Sequence, residues 1–146
     1  FSEDVVVPVG GTKEPLTAEN LQAGRYILDV LDPEGMKLRL EQKSLNNFLK
    51  VIRQSLEKSG FQESNLDYVA MLHMKKSAHD YVLQELGLGE EHSIYLSHYG
   101  HIGQIDQILS LNIARKEGKL RKGKIVTLVS AGIGYAWGAI TVKWGS

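Results

Sequence analysis

The chain has no cysteine, 3 prolines in 146 residues, and no excess of either charge, with 17 Lys and Arg against 17 Asp and Glu. Each shortage closes a class. Without cysteine there is no disulfide framework, no thiolate nucleophile and no thiolate metal ligand of the chain's own, which fits a reducing compartment and makes cytoplasmic the expected location. Balanced charge removes the electrostatic reason to expect nucleic acid or an anionic membrane as partner. No apolar run reaches the ~18 residues of a membrane span, and no basic-then-apolar leader opens the sequence. The chain starts at Phe1 rather than methionine, so it reads as a piece of a longer protein. At this length a single packed core is expected, burying roughly two thirds of the unfolded surface.

What is present is an alternation of strand-like and helix-like stretches with no low-complexity segment and no clear domain boundary. Residues 1–25 read as an extended lead-in around Val5 to Val7, followed by a polar stretch from Thr17 to Gly24. Asp32-Pro33-Glu34-Gly35 suits a turn, which predicts a hairpin of Tyr26 to Leu31 with Met36 to Leu40. Leu45, Phe48, Leu49, Ile52 and Leu56 form one stripe of a helix from about Gln42 to Ser59, stopped by Gly60. Leu66 to Leu72 is a short apolar run ending at His73, and a helix follows whose spacing is given by Ala78, Tyr81, Val82, Glu85 and Leu86, with Gly87 as its stop. The pattern then repeats: Ser93 to Ser97 as a strand, a turn through His101, and a helix from Gly103 to Lys116 with Ile105, Ile108, Leu109 and Asn112 as its packed face. Lys124 to Ser130 and Ala136 to Trp144 close the chain as strands around an Ala131 to Gly134 turn. This order predicts an α/β fold with helices packed on a mixed β-sheet.

Chemistry concentrates on histidine. His101 sits between two glycines where a strand-like run gives way to a helix, and the amides and positive dipole end of a helix start favour neutral imidazole. His73 stands at the end of the preceding strand. His98 and His101 are three apart, but no nearby carboxylate or cysteine completes a metal site. The run RKEGKLRKGK from Arg115 to Lys124 either attracts phosphate or an acidic carrier protein, or is a solvated turn with cations at a helix C-terminus. Tyr135 and Trp137 either line an acyl cleft or belong to the core.

Taken together and in order, His73, Gly100-His101 with Gly103, the stretch from Gly118 to Gly123, and SAGIGYAWG from Ser130 to Gly138 resemble the C-terminal half of beta-ketoacyl-acyl-carrier-protein synthase III. The Val7-Pro8-Val9-Gly10-Gly11 opening is similar as well. The resemblance spans nearly all of residues 1–146 and implies one half of a thiolase fold, with the acyl-carrying cysteine in an absent N-terminal half. It implies decarboxylative Claisen condensation, acyl and malonyl thioesters of carrier protein or coenzyme A as substrates, no cofactor and no metal, and a homodimer. Carried over residue by residue, His73 is the catalytic histidine, and His101 stands where the type III family usually has asparagine. The Gly132-Ile133-Gly134 turn matches the family's backbone oxyanion element.

The reaction needs neutral donors where negative charge develops on the malonyl thioester oxygen, and one such donor is worth about 3 kcal/mol. Imidazole and carboxamide each offer one N–H, so histidine at 101 can do asparagine's work. The sequence departs from the family also at Met74-Lys75-Lys76, commonly Gln-Ala-Asn, and at Ile133 in a turn that is usually all glycine. Thiolases, the competitor within the fold, add a second cysteine before the terminal glycine turn; here Ser130-Ala131-Gly132 stands there, and serine is a poor base at neutral pH. Decarboxylation needs no such base. The alternative is a non-catalytic thiolase-fold subunit that binds an acyl chain or a partner synthase.

Overall fold

A computed structural model describes residues 4–145, the side chain of Gln42 excepted. The first three residues of the lead-in lie outside that range. The chain divides into two compact units, residues 4–42 with 132–136, and residues 43–131 with 137–145.

In the first unit β1 (Val5–Val6) pairs antiparallel with β2 (Asp29–Val30). The polar stretch between them is a short helix, α1 (Ala18–Gln22), rather than extended chain. Its start is a reciprocal capping box: Thr17 Oγ1 accepts from the Asn20 N–H and Asn20 Oδ1 from the Thr17 N–H. The expected hairpin is also absent. Pro33 opens the long helix α2 (Pro33–Lys58), and Asp32 caps it by accepting the Gly35 N–H at 2.9 Å. Asp-Pro suits a helix start as well as a turn, because the missing proline N–H is one a first helical turn leaves unpaired anyway.

The second unit holds a three-stranded sheet in the order β3 (Leu66–Met71), β4 (Ile125–Gly132), β5 (Ala136–Lys143). β3 and β4 are parallel, with Val69 opposite Thr127 and Met71 opposite Val129. The three-residue link to β5 permits only an antiparallel pair, and Thr127 meets Thr141 hydroxyl to hydroxyl at 2.9 Å. The sheet is therefore mixed. Alternate residues of β3 feed two clusters: Val69 and Met71 join Phe48, Leu49, Ile52 and Leu56 of α2 and Val82, Leu83 and Leu86 of α3 (Lys76–Glu85), while Tyr68 and Ala70 join Ala114 of α4 (Asp106–Lys116). Helices on both faces explain why β3 is apolar but for Asp67, whose carboxylate accepts from the Ile125 N–H and Lys124 Nζ. Trp137 packs against the first cluster and Trp144 against the second.

Two further expectations fail here. Ser93 to Ser97 is not a strand: the Ser93 hydroxyl, not a ladder of backbone N–H groups, reaches the Val69 carbonyl at 2.7 Å. The packed face of α4 is Asp106, Gln107, Ser110 and Ala114, while Ile105 and Ile108 are 61% and 57% exposed. Every polar member of that buried face has a partner. Gln107 Nε2 donates to the Val129 carbonyl at 2.9 Å, and Ser110 Oγ meets the Tyr68 hydroxyl at 2.7 Å. The basic run is partly tied into the fold too, since Lys124 Nζ bonds Asp67 at 2.6 Å and Lys119 Nζ reaches the Ser93 carbonyl at 3.4 Å.

Candidate active site

His73 follows the last residues of β3, at the carboxyl end of a parallel strand, where α/β folds place their sites. The ladder carries on one step past the strand, with the Leu72 N–H donating to the Val129 carbonyl at 3.2 Å. His101 lies in a short loop pinned at Leu96, whose carbonyl accepts from the Tyr99 and Gly100 N–H groups. Gly100 and Gly103 on either side of it have φ of 68° and 81°, a region that L side chains resist, so glycine is what lets the loop reverse so tightly.

Asp106, the first residue of α4, joins the two histidines. Its Oδ2 accepts the His73 backbone N–H at 2.7 Å and faces His101 Nδ1 at 2.6 Å; its Oδ1 accepts the Ile102 N–H at 2.9 Å. The carboxylate is 0% exposed, whereas the His101 ring is 53% exposed. Burial pushes the Asp106 carboxyl up, but the N–H groups of His73 and Ile102 and the His101 ring together hold it below its ordinary value. Asp106 is therefore a buried anion held by three donors, and with it in place the proton of a neutral His101 sits on Nδ1. The sequence reading missed this residue. Its only signal was an acid five positions beyond His101 at a helix start, where acids are common for capping reasons alone.

His73 is set differently. Its Nδ1 is buried and has no hydrogen-bond partner among the described residues. An orphaned buried N–H is rarer than an orphaned acceptor, so the neutral ring carries its proton on Nε2. The ring lies tilted at 34° against Tyr95 with centroids 5.0 Å apart, and Tyr95 meets the buried His79 edge-on at 5.3 Å. Three residues past His101, Gln104 Oε1 accepts from Ser130 Oγ at 2.7 Å. A cleft of about 220 Å³ beside them is lined by Gln107, Ile108, Gly138 and Ile140. A second cleft of about 570 Å³, lined by Lys76, His79, Tyr95, His98 and Lys119, includes neither His73 nor His101. Among the described residues no cluster of three or more metal-ligating side chains occurs, and no helix is long and apolar enough to cross a membrane.

Of the backbone element, Gly132 ends β4, while Ile133 and Gly134 lie in the link to β5; the Ile133 residue is 67% exposed and Gly134 has φ of 136°. These three belong to the first compact unit and His73 and His101 to the second.

The fold is that of the thiolase-like condensing enzymes. The structure superposes on beta-ketoacyl-[acyl carrier protein] synthase III from Thermus thermophilus with a TM-score of 0.75 at 21% identity, covering 99% of this chain and 42% of that one. The 3-oxoacyl-(acyl carrier protein) synthase III from Pseudomonas aeruginosa gives 0.75 at 18% identity over 97% and 41%. The chain belongs to the family described as 3-oxoacyl-[acyl-carrier-protein (ACP)] synthase III C terminal, whose model matches residues 56–144. In sequence it is 27% identical over 139 residues to beta-ketoacyl-[acyl-carrier-protein] synthase III of Symbiobacterium thermophilum, covering 94% of this chain and 41% of that protein. The chain thus spans about two fifths of the length of the relatives it matches.

Proposed function

We propose that residues 1–146 form the C-terminal domain of a longer cytoplasmic enzyme that condenses an acyl thioester with a malonyl thioester. The N-terminal half of that enzyme supplies the cysteine that carries the acyl group. Loss of carbon dioxide from the malonyl thioester leaves an enolate; its carbon attacks the acyl carbon, a C–C bond forms, and the cysteine thiolate leaves. His73 and His101 stabilise the enolate oxygen, with the Gly132-Ile133-Gly134 amides at the acyl carbonyl. Substrates are thioesters of acyl carrier protein or coenzyme A, no cofactor is required, and the full-length protein is a homodimer. This part alone is inactive.

One observation carries the reading: a single buried oxygen, Asp106 Oδ2, receives both the His73 backbone and the His101 ring. The two histidines, 28 positions apart in sequence, thereby share one anchor. In the full-length protein, His73→Ala and His101→Ala should each lower malonyl-dependent condensation by about a hundredfold. Wild-type rates in both variants would refute the assignment.

A further inference from the structure

The two histidines are not equivalent. Asp106 faces Nδ1 of His101, whereas Nδ1 of His73 faces no partner among the described residues. The proton of neutral His101 thus lies on Nδ1 and that of neutral His73 on Nε2, so neutral His101 presents a bare lone pair at Nε2. A lone pair cannot stabilise an oxyanion, and with Asp106 ionised on its far side a neutral ring would separate two negative charges with no N–H toward the second.

We propose that Asp106 is the positioning residue of this pair: it holds the two rings in opposite tautomers, so that His101 donates to the thioester oxygen only when both its nitrogens carry protons, as the cationic member of an ion pair with Asp106. This rests on the condensation reading above and deepens it. In place of the two neutral donors expected from the sequence, His73 is then the neutral donor and His101 the charged one, and Asp106 keeps the dyad's net charge at zero until the enolate forms. The position demands a carboxylate. An asparagine would offer one acceptor oxygen and an NH₂ that meets a backbone N–H, of His73 or of Ile102, whichever way it is turned.

The groups around the dyad are few. Asp106 comes from α4, and His73 comes from the end of β3 with Tyr95 against its ring. Beyond Tyr95 lie His79 and the Lys76 ammonium, 5.6 Å from the Tyr95 centroid. Among the described residues Asp106 is the only acid hydrogen-bonded to either histidine.

The test uses the full-length protein labelled with ¹⁵N in histidine, together with the pH dependence of malonyl-thioester decarboxylation. In the wild type the neutral His101 ring should show its proton on Nδ1, and kcat should fall as rising pH removes the Nε2 proton. Asp106→Asn should lower kcat about a hundredfold with little change in KM, and Asp106→Glu, which keeps the carboxylate, should recover part of the loss. A neutral His101 protonated on Nε2, or a folded Asp106→Asn variant with wild-type kcat, overturns the inference. Should that variant not fold, the wild-type ring spectrum and pH profile decide on their own. Undiminished condensation in both His73→Ala and His101→Ala would instead sink the functional reading itself.

Discussion

Removing the Asp106 carboxylate by Asp106→Ala tests how far the site is also a piece of structural engineering. The variant deprives three donors of their acceptor. The half-buried His73 N–H loses a charge-assisted bond worth about 1.5–3 kcal/mol, and the Ile102 N–H, at a residue nearly half exposed, can turn to water at a cost of about 0.5–1 kcal/mol. The His101 ring is more than half exposed, so its ion pair adds about 0–1 kcal/mol. Alanine also returns part of the cost of burying a charge, which leaves a net loss of about 2–3 kcal/mol at neutral pH. Urea unfolding followed by the fluorescence of Trp137 and Trp144, both packed on core clusters, would read it as a lower midpoint at unchanged slope. The pH dependence has a definite sign. The folded carboxyl lies below its ordinary value of 3.8, so its stabilisation is complete above that value and is lost as pH falls through the folded one. The gap between wild type and variant should therefore be widest near neutrality and close in acid. A loss under about 0.5 kcal/mol, or a gap that grows in acid, would refute this account of the carboxylate.

His79 should supply a second acid limb at higher pH: burial pulls its folded value from 6.5 to about 4, so the unfolded chain binds the proton first and stability falls between those values. The drop is at most about 3 kcal/mol, and His79→Gln should flatten it in melts taken across that range. Tyr68→Phe leaves the buried Ser110 hydroxyl without the Tyr68 oxygen at 2.7 Å and should cost about 1–2 kcal/mol by chemical denaturation, with little effect on kcat.

The three strands of the second unit and α3 were readable because β3 and β4 are short apolar runs buried on both faces, β5 alternates, and the apolar residues of α3 recur with the helical period. Leu66 to Met71 and Ile125 to Val129 could hardly be anything else. The failures share a physical cause. Hydropathy registers burial only when the buried face is apolar, and α4 turns Asp106, Gln107 and Ser110 toward the sheet, so Ile105 and Ile108 suggested the wrong side. Asp32-Pro33 serves a turn or a helix N-terminus with the same local chemistry, and only the length of the following helix distinguishes them. His73 and His101 were found through the order of family-like motifs rather than through anything either residue shows alone. Asp106 could not be found that way, because its role appears only when the end of β3 and the start of α4 are brought together.

The polar underside of α4 has a mechanical consequence. An apolar helix face can slide or roll over a sheet with modest loss, since dispersion contacts re-form in many registers. Hydrogen bonds are directional, and α4 is held by three of its side chains along little more than one turn: Asp106 at the His73 backbone, Gln107 at the Val129 carbonyl and Ser110 at the Tyr68 hydroxyl. Rolling the helix or shifting it by one turn would break all three at once. The helix is thus keyed into the sheet like a lock pin rather than resting on it, and the histidine at its threshold takes its position from that key.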